Sequence, residues 1–152
     1  MHFPVASRSG FMLVELLLVV AIIAVLMFIT ILAITPQRNL SHARNAQRRI
    51  DTQTISNAIY QYLIDKHPLP STIPSGSFKQ ICKTGVTGAL CGDGVDLSVV
   101  TTGGMYVPSM PVDPQAPVSG TGTNYWILLD SINRLIVDAP NAEEGEYIFV
   151  RK

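Results

Sequence analysis

Glu15 is the only ionisable side chain between Phe11 and Thr35. It follows Gly10-Phe11-Met12-Leu13-Val14, and residues 16–34 behind it are apolar apart from Thr30. At the centre of a membrane span a carboxylate costs about 2.5 to 3.5 kcal/mol. In the first turns of a helix the dipole returns about 0.3 to 1 kcal/mol, and the side chain can reach toward lipid headgroups. Two chemistries are therefore open to Glu15. It can serve as an interfacial partner of the helix dipole. Alternatively, a cut after Gly10 would leave an ammonium on Phe11, and a carboxylate four residues further on is its natural counter-charge. That pair can form within one chain or between neighbouring helices that are offset from one another.

The remaining reactive residues suggest no catalysis. The three histidines are His2, His42 and His67, at the N-terminus, on a polar helical stretch and in a proline turn. The serines lie in loops without a glycine-flanked elbow, and no glycine loop of phosphate-binding pattern opens a helix. An enzyme is not expected, nor a cofactor. Asp130, Asn133, Asp138, Asn141 and Glu143 are oxygen donors of the kind that hold calcium. Their spacing fits no calcium loop, so they are expected to be solvated turn residues. Cys82 and Cys91 enclose a loop of about ten residues, which a disulfide would stabilise by about 2.5 to 3 kcal/mol in the chain-entropy picture. Two reduced, buried thiols are the alternative. A metal site is not expected, because two sulfurs without a histidine pair do not complete tetrahedral ligation. Tyr125 and Trp126 read as core and sheet residues.

These groups need elements to position them. A helix over residues 11–35 would be about 37 Å long at about 1.5 Å per residue, enough to cross a hydrocarbon core of about 30 Å. An ordinary secretory signal has a shorter apolar core followed by a small-residue cleavage site, and neither is present. After Pro36 the pattern turns amphipathic. Leu40, Ala43, Ala46, Ile50, Ile55, Ala58, Ile59, Tyr62 and Leu63 recur at helical spacing, whereas Arg38, Arg44, Gln47, Arg48 and Asp51 fall off that face. One long helix, membrane-embedded in its first half and half-buried in its second, is the natural reading, with Pro68 and Pro70 ending it.

Residues 71–104 are glycine-rich and read as loop, 106–114 as a proline-set connector, and 119–123 as a flexible tip. Residues 125–129, 135–137 and 147–150 read as three short antiparallel strands whose sheet covers Ile55, Ile59, Tyr62 and Leu63. The fold class is thus α+β. Residues 1–10 form a leader, 11–35 an apolar anchor, 36–66 an amphipathic helix, and 67–152 a loop-rich region with a small antiparallel sheet.

Ser9-Gly10-Phe11-Met12-Leu13-Val14-Glu15-Leu16 and the apolar run after it resemble the processing signal of type IV pilins and type II secretion pseudopilins. The resemblance implies a pilin-like fold in which the long helix packs on the sheet. It also implies that a prepilin peptidase cuts between Gly10 and Phe11 on the cytoplasmic side and N-methylates Phe11. Glu15 would then neutralise the Phe11 amine of an adjacent subunit during assembly. The proline-bearing turn at residues 66–70 and the Tyr106 to Pro114 segment, with its Asp113-Pro114 pair, are similar to segments of pseudopilins.

The partners so implied are further copies of the chain in a homo-oligomeric filament, the prepilin peptidase, the pilus or type II secretion machinery, and the membrane. Formal net charge is zero, which argues against nucleic acid as a partner. Charge is unevenly distributed. Arg38, Arg44, Arg48 and Arg49 crowd the stem, whereas Asp93, Asp96, Asp113, Asp130, Asp138, Glu143, Glu144 and Glu146 crowd the rest. That division would suit lateral packing of staggered copies, or solvated faces. The arginines after the span set against Arg8 alone before it would by themselves keep the C-terminal region cytoplasmic. The leader, which must face the peptidase, and the cysteine pair place it outside, on a cell-surface pilus or a periplasmic pseudopilus. An uncleaved, single-pass membrane-anchored binding module is the alternative of a different class.

Overall fold

Unbranched and branched aliphatic residues without a glycine or proline carry the first helix, α1 (Leu13–Ala33). Its first backbone acceptor is the Met12 carbonyl, which receives the Glu15 and Leu16 N–H groups. Thr30 folds its hydroxyl back onto the Met27 carbonyl at 2.8 Å, so its polarity is satisfied within the helix. The computed structural model describes residues 11–33 and 36–152, in two compact units divided between Gln37 and Arg38. The expected leader, Gly10 with it, and the junction on which a single continuous helix depends lie outside the described residues.

The second helix, α2 (Pro36–Ile64), opens on proline, where the missing N–H costs no helical hydrogen bond. It ends before Lys66, whose backbone is left-handed at φ 64°. Beyond that point His67 stacks on Tyr62 at 4.4 Å, and Tyr106 meets Tyr62 edge-on at 5.5 Å. The Tyr106 hydroxyl also donates to Asp65 at 2.9 Å, which docks the proline-set connector on the end of α2.

The sheet has four strands rather than the expected three: β1 (Lys79–Cys82), β2 (Gly122–Leu129), β3 (Leu135–Asp138) and β4 (Phe149–Arg151). They pair antiparallel in sequence order. Strand β1 lies in the stretch read as loop. Its four residues are too few to display a period, and its partner β2 comes some forty positions later. Gly122 and Thr123, expected in a flexible tip, begin β2 instead. Thr123 is buried and donates to the Ile81 carbonyl at 2.9 Å. Tyr147 precedes β4 and is exposed.

The inner sheet face carries Ile81, Tyr125, Ile127, Leu129, Leu135 and Val137, which join Ile55, Ala58 and Ile59 of α2 in one core. Tyr62 and Leu63 pack against its margin. Burying each large aliphatic side chain contributes about 1.5 to 3 kcal/mol. A short helix, α3 (Ser98–Thr101), and the connector supply Val100, Val107 and Met110 to the same core.

Candidate functional site

Among the described residues α1 is the one helix long and apolar enough to cross a membrane. Its 21 residues rise about 32 Å. Every described side chain from Phe11 to Ile31 is exposed, and a helix apolar on all sides has to be covered by lipid or by protein. Glu15 sits in its first turn, and Phe11 lies just before the helix starts. Among the described residues no cation forms an ion pair with Glu15. The helix thus offers one acid at its head and hydrocarbon behind it.

The head has a polar site of its own on α2. The residues expected to form the apolar face of the first half of α2, Leu40, Ala43, Ala46 and Ile50, are exposed; Leu40 and Ile50 are 56% and 59% accessible. The buried stripe is Ser41, Asn45, Arg48 and Thr52, continuing into Ile55 and Ile59. Arg48 was expected off the buried face, yet it is fully buried and all five of its N–H donors are used. Its Nε and Nη2 donate to Asp113 at 2.6 and 3.3 Å. Nη1 donates to Asn45 and Glu143 at 2.9 and 3.0 Å, and Nη2 also to Gln115 at 2.7 Å.

Glu143 accepts from Arg44 at 2.6 and 2.5 Å. Asn45 completes a reciprocal pair with the Glu143 backbone, donating to its carbonyl at 2.9 Å and accepting its N–H at 3.0 Å. Tyr125 of β2 donates to Asp51 at 2.6 Å beneath this cluster. The expectation that Glu143 is a solvated turn acid therefore fails, because the 140–146 loop folds onto the arginines of α2.

The electrostatics follow from that geometry. Hydrogen bonds from Arg44, then from Arg48 and Ser41, hold the Glu143 carboxyl down at about 2. Burial works against the Arg48 charge, but hydrogen bonds to Asp113 and Glu143 outweigh it, so its pKa stands above the ordinary arginine value. Burial first, and donation to Asp51 second, push the Tyr125 phenol well up. These groups are locked in their charged or neutral forms and do not exchange protons near neutral pH. The site joins elements together and offers no acid–base pair.

The other oxygen donors do not converge. Asp130 caps its own turn by accepting from the Ile132 and Arg134 N–H groups, and Asn133 takes the left-handed backbone that the turn requires. Asp138 lies on β3, partly buried, with its carboxyl pushed up by that burial. Among the described residues no group of three or more His, Cys, Asp or Glu is placed to hold a metal ion.

Cys82 and Cys91 are bonded, with Cα atoms 5.8 Å apart. The bond ties β1 to the short helical turn Gly88–Cys91. Sequence reasoning missed the Arg48–Asp113 pair altogether. The only signal was an Asp-Pro step in an otherwise apolar connector, and its partner is 65 positions away. No family model matches this chain, and neither the curated proteins nor the solved structures give a significant match.

Proposed function

We propose that this chain is a structural subunit of a type IV pilus-like filament, anchored by α1 in the membrane until it assembles. The observation that carries the reading is a lone acid in the first turn of an apolar helix, directly behind a Gly-Phe junction and ahead of a folded α+β head. In this reading prepilin peptidase cuts after Gly10 and methylates Phe11. The α1 helices then bundle as the filament core, and Glu15 of one copy meets the Phe11 ammonium of another. In low dielectric such a pair is strong, and either charge left alone is heavily destabilising. The disulfide supports a head outside the cytoplasm, since such bonds persist in oxidising compartments.

N-terminal sequencing of native material tests the processing step. Phe11 at the terminus, methylated, is the expected result. An intact Met1 would replace the reading with an uncleaved, membrane-anchored binding module. Glu15→Ala tests assembly: the variant should be cut and inserted yet absent from filaments, and normal filaments from it would end the proposed role. Shear fractions then separate a surface pilus, which is released, from a periplasmic secretion or competence pseudopilus, which is not.

A further inference from the structure

The sheet face turned away from the core is not uniformly polar. Where β1 meets β2 an open cavity of about 550 Å³ is bordered by Phe78, Lys79, Gln80, Asp93 and Trp126, with the Cys82–Cys91 bond in its wall. That volume falls in the range of small-molecule sites, about 300 to 1,000 Å³. Phe78 and Trp126 are 41% and 37% exposed, large aromatic surfaces left open beside polar groups.

The floor is built from constrained parts. Gln80 lies opposite Trp126 in the β1–β2 register, and its Nε2 donates to Asn124 at 2.8 Å. Its amide rests directly over Gly122, where any Cβ would collide with it. At Gly94 a Cβ would collide with the disulfide, so the backbone approaches the sulfurs as closely as glycine permits. The aromatic row extends beyond the cavity. Trp126 pairs across the sheet with Asp138, and Asp138 with Phe149. Directly paired residues share a face, which sets Phe149 two strand spacings from Trp126, about 9 to 10 Å. The Arg151 guanidinium stands over the Phe149 ring at 5.7 Å.

The charges select the ligand. Lys79 pairs with Ile127 of the core-facing row and so stands on the other face of β1, whereas Asp93 borders the cavity, is exposed and, among the described residues, forms no ion pair. The Asp93 carboxylate disfavours an anion, and with the Gln80 amide it offers acceptors to hydroxyl donors. A purely apolar occupant would strip water from both without replacing their hydrogen bonds, which is costly. A ligand with an apolar ring face and a rim of hydroxyls satisfies every group.

We propose that this cavity is a saccharide-binding site: Trp126 and Phe78 stack on the C–H face of a neutral sugar residue, and Gln80 and Asp93 take its hydroxyls. Phe149 and Asp138 continue the platform for a neighbouring sugar of the same chain.

Trp126 is the only tryptophan, so in the folded protein its emission reports on the surroundings of this one ring. Full-length protein in a detergent without a sugar headgroup is titrated with cellobiose, maltose, lactose and chitobiose. At least one should give a saturable shift in emission. Asp93→Asn, at an exposed position, should weaken that binding about tenfold, the worth of one charge-assisted hydrogen bond, with the melting temperature unchanged. Three results would overturn the proposal. These are no saturable shift with any of the four sugars, a shift that Asp93→Asn leaves intact, and an emission that changes on protein dilution alone. The last would assign the face to a second copy of the chain.

Discussion

Arg48→Met removes five hydrogen bonds from one buried point and leaves the fully buried Asp113 carboxylate without its cation. Removing one partner of a buried pair costs about 3 to 5 kcal/mol, chiefly through the uncompensated charge left behind. The unit Arg38–Lys152 has a stability of about 6 to 17 kcal/mol at about 0.05 to 0.15 kcal/mol per residue, so the loss is a large share of the total. For a domain of this size each kcal/mol moves the midpoint by about 4 °C, which predicts a fall of about 12 to 20 °C. Far-ultraviolet circular dichroism is a poor probe, because α1 stays helical in micelles and breaks two-state behaviour. Trp126 fluorescence and near-ultraviolet dichroism follow the head itself. Adding Asp113→Asn removes the stranded charge, keeps an acceptor for the Gln115 N–H, and should recover about half of the loss. A shift below about 4 °C for the single variant, or a double variant no more stable than the single, would refute the reasoning.

Further outcomes follow from the same structure. The Glu143 carboxyl is held from an ordinary 4.5 down to about 2, so its contribution is complete above pH 4.5 and is lost as pH falls toward 2. Acid unfolding of Glu143→Gln should therefore be flatter across that window, and an unchanged slope would contradict the assignment. The Ser56 hydroxyl is buried without a hydrogen-bond partner among the described residues; Ser56→Ala should leave stability equal or raise it by about 1 kcal/mol, and a loss of that size would reveal a partner. Replacing Cys82 and Cys91 together with serine should cost about 2.5 to 3 kcal/mol by the same melting assay. Mass spectrometry of native protein without reductant should find no free thiol.

Helical periodicity located α2 and its apolar half correctly, because Ile55, Ala58, Ile59, Tyr62 and Leu63 obey the usual rule that greasy residues face inward. The first half of the same helix inverts that rule. Ser41, Asn45 and Arg48 face the head because their partners are Glu143, Asp113 and Gln115, between 65 and 102 positions further on. No local window of sequence contains both halves of such a pair. The three later strands were legible because each is an apolar run bounded by turn residues. Strand β1 was not, since a four-residue segment set among glycines becomes a strand only once β2 lies beside it and the disulfide pins its end. The platform of Phe78, Gln80 and Trp126 was hidden for the same reason: register, which depends on pairing, decides which side chains share a face.

The charge division between stem and head has a different meaning once the pairs are known. Read in the sequence as suited to lateral packing of copies or to solvated faces, Arg38, Arg44, Arg48 and Arg49 are matched within one chain to Glu144, Glu143, Asp113 and Glu146. An exposed arginine already facing a carboxylate has little left to offer a neighbour, and surface pairs are worth only about 0 to 1 kcal/mol each. The apolar part of what α2 leaves uncovered in its first half is Leu40, Ala43, Ala46 and Ile50, beside the exposed Asn39, His42 and Gln47. In a filament of this chain, contact between heads along α2 would therefore rest on apolar area rather than on ion pairs. Raising the salt concentration would strengthen such contacts or leave them unchanged, whereas electrostatic packing would weaken as the Debye length shrinks from about 10 Å at 0.1 M to about 3 Å at 1 M.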